Sequence, residues 1–71
     1  MKLETTITLN IQRFRLAAGL TQEALAEASG FKLTSIAAIE QGRRVPSIDT
    51  IARIAGRVAV EPWQLLKPKD R

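Results

Sequence analysis

The single glycine at position 30, with a short amphipathic segment on each side, constrains this chain more than any other feature. Gly30 lies between segment 22–29 and a segment from 33 to about 41, and in both of them apolar residues recur at intervals of three and four. That interval is the period of an α-helix, and glycine readily takes the positive φ of a tight turn between helices. The stretch from Thr21 to Pro46 is therefore predicted to be two helices held at a fixed angle.

Glycine and proline divide the rest of the chain into three further helical segments, so the sequence predicts one all-α domain of five helices. The domain is predicted to span 9–66, between an N-terminal tail over 1–8 and a C-terminal tail over 67–71. A chain of 71 residues is too short for a second domain. The apolar residues expected to face the core are Leu9, Ile11, Phe14, Ala18, Leu20, Leu25, Ala26, Ala28, Phe31, Ile36, Ile39, Ile51, Ile54, Ala55 and Val58.

The composition of the chain limits which kinds of site and partner such a domain is expected to have. The chain has no cysteine and no histidine, so we expect no structural metal, and its scattered acidic residues offer no acid–base pair for an enzyme. No cofactor and no small-molecule ligand is expected, because there is no second domain to form a pocket. The 11 basic and 7 acidic residues give a formal net charge of +4, which favours a polyanionic partner without proving one. Without a long apolar run, the sequence predicts a cytoplasmic protein with no membrane partner.

The spacing of small and apolar residues across the two central helices has a steric explanation. Counting from Gln22 as the first position, Ala26 is the fifth, Gly30 the ninth, Ile36 the fifteenth and Ile39 the eighteenth. A side chain larger than that of Ala26 would push the two helices apart where they cross, and Ile36 fills the space between them. A pair of helices with this spacing, followed by two arginines, indicates a DNA-binding unit.

Three stretches of the sequence resemble the Cro and phage-repressor-like helix-turn-helix domains, also called the XRE type. They are R-x-x-x-G-L-T-Q-E-x-L-A over Arg15–Ala26, I-x-x-I-E-Q-G-R-R-x-P-S over Ile36–Ser47 and V-x-V-x-P-W-x-L-L over Val58–Leu66. The resemblance covers nearly the whole chain and implies a lambda-repressor-like DNA-binding fold. It also implies a homodimeric transcriptional regulator, of repressor or controller type, that places its third helix in a major groove of double-stranded DNA.

The resemblance also implies roles for the residues at matching positions. Arg15 and Glu40 correspond to an internal ion pair between the first helix and the end of the third, with direct DNA contact as the alternative. Residues expected to contact DNA phosphates are Thr21, Gln22, Gln41, Arg43 and Arg44. Residues expected to face the bases are Lys32, Leu33, Thr34, Ala37 and Ala38. An arginine pair in a loop is also compatible with a purely solvated surface.

The base-facing set departs from the family pattern, which usually has glutamine, arginine, serine or asparagine at several of these positions. Only Lys32 and Thr34 carry a side-chain donor here. One hypothesis is that specificity depends on methyl contacts, water and DNA deformability. The other is a protein-interaction adaptor or antitoxin-type module that uses the same fold with weak or no base-specific readout. The sequence does not distinguish phage repressor, restriction-modification controller and antitoxin.

The end of the chain carries more apolar residues than a short helix needs for its own burial. We predict that these residues form a two-fold dimer interface: Val58, Val60, Trp63, Leu65 and Leu66. The alternative is that Trp63 and Leu66 complete the core of the monomer. A dimer of this kind would hold two third helices about 34 Å apart, one turn of the duplex, and therefore predicts a palindromic operator.

Two residues near the end of the fourth helix conflict with their local structure. Gly56 lies in the predicted helix interior, which it weakens by about 1 kcal/mol relative to alanine. Ala59 stands where the family usually has the glycine that ends this helix. The turn before Val60 is therefore predicted to be irregular.

Overall fold

Five α-helices form the protein in the computed structural model, which describes residues 2–68. They are α1 (Leu3–Ala17), α2 (Gln22–Ser29), α3 (Leu33–Glu40), α4 (Ile48–Arg57) and α5 (Pro62–Leu66). α1 packs against α3 and α5, and α2 packs against α3 and α4, so that the helices enclose one core. The predicted all-α, five-helix fold is confirmed. Within 2–68, no helix has both the length and the apolar character needed to cross a bilayer.

The turn between α2 and α3 sets the angle between these two helices. Thr21 caps α2, because its Oγ1 accepts a hydrogen bond from the N–H of Ala24 at 3.0 Å. Gly30 ends α2 with φ of 77°, and the N–H of Phe31 donates back to the carbonyl oxygen of Ala26 at 2.9 Å. This is a left-handed helix ending, which glycine forms at little cost. The predicted bounds of α2 and the predicted conformation of Gly30 are confirmed.

The core contains apolar side chains from all five helices. The largest of those that are fully buried are Ile11, Leu25, Ile36, Ile54 and Leu65. Among the predicted core residues, Leu9, Ala18 and Ala28 are exposed, so those three predictions are wrong. Ala28 lies on the outer side of α2, and its neighbour Ser29 is the residue that faces inward.

The first helix differs most from the prediction. It begins at Leu3, so residues 3–8, predicted to belong to a polar tail, are helical. Ile7 and Ile11 face the core, whereas Leu9 points outward. Ile11 and Phe14 keep their predicted inward positions, and the buried stripe of the helix also includes polar side chains.

Asn10 is one of the polar residues that α1 buries. Its Nδ2 donates hydrogen bonds to the carbonyl oxygens of Leu65 at 2.9 Å and Lys67 at 2.7 Å. These carbonyls lie at the C-terminal end of α5, where a helix leaves its last carbonyl groups without internal partners. Lys67, predicted as the first residue of the C-terminal tail, is thus tied to α1 through its carbonyl. Residues 69–71 of that predicted tail lie outside the described residues.

The fourth helix begins with a side-chain cap and ends in a strained turn. The Oγ of Ser47 accepts from the N–H of Thr50 at 3.1 Å. At the other end, Ala59 has φ of 62°, and among residues 2–68 no other residue besides glycine has a positive φ. The N–H of Val60 then donates to the carbonyl oxygen of Ala55 at 3.0 Å. The turn predicted to be irregular is a left-handed helix ending made without glycine, a conformation that costs alanine about 1–2 kcal/mol.

Exchanging glycine and alanine between these two positions is expected to stabilise the protein. Nothing lies within 4 Å of a Cβ added at Gly56, so Gly56→Ala should raise the free energy of unfolding by about 0.5–1 kcal/mol. Ala59→Gly removes the strain but increases the entropy of the unfolded chain, which leaves a net gain of about 0.5–1 kcal/mol. Urea unfolding of the single and double variants measures both effects. A less stable Ala59→Gly variant would show that this turn is not strained.

Candidate nucleic-acid interface

A buried ion pair joins α1 to the C-terminal end of α3. The Nε of Arg15 donates to Oε2 of Glu40 at 2.6 Å, and its Nη2 donates to Oε1 at 3.0 Å. The two side chains are only 9% and 2% exposed. The remaining nitrogen, Nη1, donates to the carbonyl oxygen of Leu20 at 2.8 Å. The structure thus contains the ion pair implied by the family resemblance, and the guanidinium is directed into the protein.

Gln22 connects this ion pair to the start of α2. Its Nε2 donates to Oε1 of Glu40 at 3.0 Å, so that α1, α2 and α3 meet at one carboxylate. The side chain of Gln22 is therefore turned inward, while the exposed Thr21 precedes it. The first backbone N–H groups of a helix have no carbonyl partner within it, and the positive end of the helix dipole lies there. The ion pair holds in place the helix end at which phosphate contacts are predicted.

The outer edge of α3, defined as Lys32, Leu33, Thr34, Ala37 and Ala38, is open at its N-terminal end. Lys32, Leu33 and Thr34 are exposed, and Leu33 retains 43% of its surface. Ala37 and Ala38 are half-buried. The opposite face of the helix belongs to the core. The structure therefore brings the five predicted base-facing residues together on one edge, which is open at Lys32, Leu33 and Thr34 and partly covered at Ala37 and Ala38.

The loop after α3 places its two arginines differently. Gly42 reverses the chain with φ of 77°. The Nε of Arg43 donates to Oε1 of Gln41 at 2.8 Å, which keeps this arginine at the C-terminal end of α3. Arg44 instead turns back, and its Nη1 donates to Oγ of Ser35 at 3.1 Å. Ser35 lies in the first turn of α3, and sequence reasoning missed it because no local pattern reports a contact across nine residues.

The apolar residues predicted to form a dimer interface separate into two groups. Val58 and Leu65 are buried in the protomer's own core, so their assignment to an interface is wrong. The reason is that α4 and α5 pack against each other and cover these side chains. Val60 is partly buried against the same core. Trp63 and Leu66 remain 58% and 40% exposed, which leaves a smaller outward apolar surface on α5 than predicted.

Within 2–68, no three side chains of the ligand types histidine, cysteine, aspartate and glutamate lie close enough together to hold an ion. The groups that converge near α3 are instead backbone N–H groups, arginines and short side chains. These are groups that contact phosphates and base edges.

Comparison with known proteins agrees with this geometry. Residues 11–62 match the model of the Helix-turn-helix family. An uncharacterized HTH-type transcriptional regulator from Sinorhizobium fredii is 33% identical over 70 residues, which cover 99% of this chain and 91% of that protein. A hypothetical transcription factor from Neisseria meningitidis is 32% identical over 66 residues, or 93% of this chain, and the match spans 62% of that relative's length.

Solved structures show the same similarity in three dimensions. The crystal structure of the hypothetical transcription factor NHTF from Neisseria aligns with a TM-score of 0.90 at 31% identity, covering 94% of this chain and 77% of that one. The restriction-modification controller protein C.AhdI from Aeromonas hydrophila aligns with a TM-score of 0.82 at 31% identity, covering 87% and 94%. Both alignments span most of the five helices.

The ion pair is expected to stabilise the protein only while both partners are present. Arg15→Met and Glu40→Gln should each lower the free energy of unfolding by about 3 kcal/mol, because each leaves a buried partner unpaired. The double variant should lose less than the sum, by roughly 1–3 kcal/mol, as measured by urea unfolding.

Arg13→Met provides the matched control for this cycle. Arg13 lies on the same helix but donates to Oδ1 of Asn10 at 3.2 Å, so its replacement should add independently to Glu40→Gln. Additive losses for Arg15 and Glu40 themselves would show that the pair contributes no coupling energy.

Proposed function

The chain belongs to the XRE-type helix-turn-helix family and is a transcriptional regulator with a helix-turn-helix DNA-binding domain, and on this premise we propose that it binds a specific palindromic operator as a homodimer through α3. The observation that carries the proposal is the outer edge of α3, which is exposed at its N-terminal end while the opposite face belongs to the core. The similarity of the chain to a restriction-modification controller protein supports a regulator of the controller type.

Phosphate contacts at the start of α2 and in the loop after α3 would hold the outer edge of α3 in register with the bases. At the start of α2, Thr21 and the backbone amides of the first turn present hydrogen-bond donors and the positive end of a helix dipole. Gln22 takes part through its backbone amide, because its side chain is turned toward Glu40. In the loop after α3, Gln41 and Arg43 lie together beyond the last turn of that helix. Contacts of this kind position a protein on the duplex without reading its sequence.

The outer edge of α3 is suited to a site rich in thymine. Leu33, Ala37 and Ala38 offer only apolar contacts, which match the methyl group of thymine in the major groove. Lys32 and Thr34 add one amine and one hydroxyl. The same apolar character makes a protein-interaction adaptor or antitoxin-type module the second candidate function, because a protein surface also accepts such an edge.

Selection of bound duplexes from a random pool distinguishes the two candidates. We expect enrichment of two inverted half-sites whose centres lie about 10 base pairs apart, and binding that survives an excess of random DNA. Thr34→Glu should abolish the enrichment, since its charge repels the duplex, while thermal unfolding stays unchanged because residue 34 is exposed. Salt-sensitive attachment to all sequences, without enrichment, would contradict specific regulation and favour the adaptor.

The exposed apolar surface of α5 is the proposed dimer interface. Trp63 and Leu66 are both exposed on a helix of five residues, and Val60 lies just before it. Exposed patches of this kind mark association sites, and tryptophan often dominates their binding energy. A two-fold axis through this surface would present one α3 from each protomer to the same side of a duplex.

Trp63→Ala is expected to convert a dimer into monomers. Loss of about 2 kcal/mol at each of two symmetric tryptophans raises the dissociation constant roughly a thousandfold. Sedimentation equilibrium at micromolar protein measures this change. Leu16→Ala is the matched control, because Leu16 is 61% exposed on α1 and should leave association unaltered. A monomeric wild-type protein, or a dimer that only Leu16→Ala dissociates, would contradict the proposed interface.

A further inference from the structure

We propose that Arg44 reads a guanine of the operator beside the first turn of α3, and that Ser35 positions it for this contact. The inference rests on the proposed function, because it names a residue that determines specificity at the same interface. The family resemblance assigns Arg44 to the phosphate backbone together with Arg43. The structure separates the two side chains, so a shared role does not follow from their adjacency.

The guanidinium of Arg44 lies at the opposite end of α3 from the loop that carries it. Its Nη1 donates to Oγ of Ser35 at 3.1 Å, across nine residues of sequence. Ser35 is the third residue of α3 (Leu33–Glu40), in its first turn. In helix-turn-helix domains the second helix of the motif, which is α3 here, contacts base edges with its N-terminal residues. Arg44 therefore folds back along α3 toward the end that enters the major groove.

Arg44 supplies the chemistry that the outer edge of α3 lacks. That edge offers one amine and one hydroxyl, at Lys32 and Thr34, beside three apolar side chains. A guanidinium presents five N–H donors in a planar fork, and Ser35 engages only one of its nitrogens. The free part of the fork matches O6 and N7 of guanine, which is the commonest specific contact between a protein and a base.

Ser35 gives Arg44 a defined position before DNA is bound. Ser35 is half-buried on α3, whereas Arg44 is exposed, so the hydroxyl is a fixed point to which a mobile side chain is tied. A side chain already held near its bound position loses less conformational freedom on binding. Arg43 has a different partner, Oε1 of Gln41 at 2.8 Å, which leaves it at the phosphate-facing end of the helix. Two neighbouring arginines therefore provide a matched comparison.

Binding of Arg44→Ala and Arg43→Ala to the selected operator and to its single-base variants tests the proposal. Arg44→Ala should lose roughly tenfold or more of the preference for guanine at one position in each half-site, while preferences elsewhere persist. Arg43→Ala should weaken binding to all sequences equally and reduce the slope of log K against log salt by about 0.9. If Arg44→Ala behaves in the same way as Arg43→Ala, Arg44 contacts phosphate and the proposal is overturned.

Two further measurements test the contact atom and the role of Ser35. Replacing the preferred guanine by 7-deazaguanine, which lacks the N7 acceptor, should weaken the wild type and leave Arg44→Ala unaffected. Ser35→Ala should reduce the same guanine preference without changing thermal unfolding, and Ser35→Thr, which keeps the hydroxyl, should restore it. Undiminished guanine preference in Ser35→Ala would overturn the positioning role.

The outcome for the wild type separates failure of this inference from failure of the proposed function. A wild-type protein that enriches no sequence contradicts specific operator binding itself. The wild type can enrich a palindromic site in which no preference for guanine is reduced by Arg44→Ala. That result leaves the proposed function standing and overturns the inference alone. Enrichment with such a preference supports both.

Discussion

The buried guanidinium of Arg15 fixes the segments on which the proposed DNA-facing surface depends. It holds the end of α3 through Glu40 and the residue before Thr21 through the carbonyl oxygen of Leu20, and Glu40 also accepts a bond from Gln22. Displacing any one of these segments leaves a buried charged group without one of its hydrogen-bond partners, which is costly away from water. The distance between the first turn of α2 and the outer edge of α3 is therefore set from inside the protein, before DNA is present.

Polar side chains on α1 also determine which helix ends lie against it. Thr8 donates through Oγ1 to the carbonyl oxygen of Ile39 at 3.1 Å, and Asn10 donates to the carbonyl of Leu65. Both acceptors lie near helix ends, where carbonyl groups lack partners within the helix. A domain of 71 residues buries a small apolar surface, so directional bonds with a net value of about 1 kcal/mol each add useful specificity. α1 is thus the element to which α3 and α5 are both attached.

The predicted bounds of α2 and α3 agree with the structure to within one residue at each end, because local signals set those boundaries. α1 has no capping side chain, and its buried stripe contains Asn10, whose carbonyl partners lie 55 and 57 residues away. Apolar periodicity alone therefore predicted Leu9 in the core. The same limit explains why Val58 and Leu65 were wrongly assigned to a dimer interface. A local pattern shows that a residue is apolar, but it does not show which neighbouring helix covers it.

The features of the candidate site that the sequence predicts depend on local signals, and those that it misses depend on distant contacts. The family resemblance was sufficient to predict which residues form the outer edge of α3, but the bond between Ser35 and Arg44 depends on the reversal at Gly42. Charge alone would give Arg43 and Arg44 the same role, because attraction to phosphate requires little orientation. Reading a base requires the guanidinium plane to be held in place. A hydroxyl on a rigid helix supplies that orientation, so an apolar edge on α3 is compatible with specific recognition when the missing donor comes from the following loop.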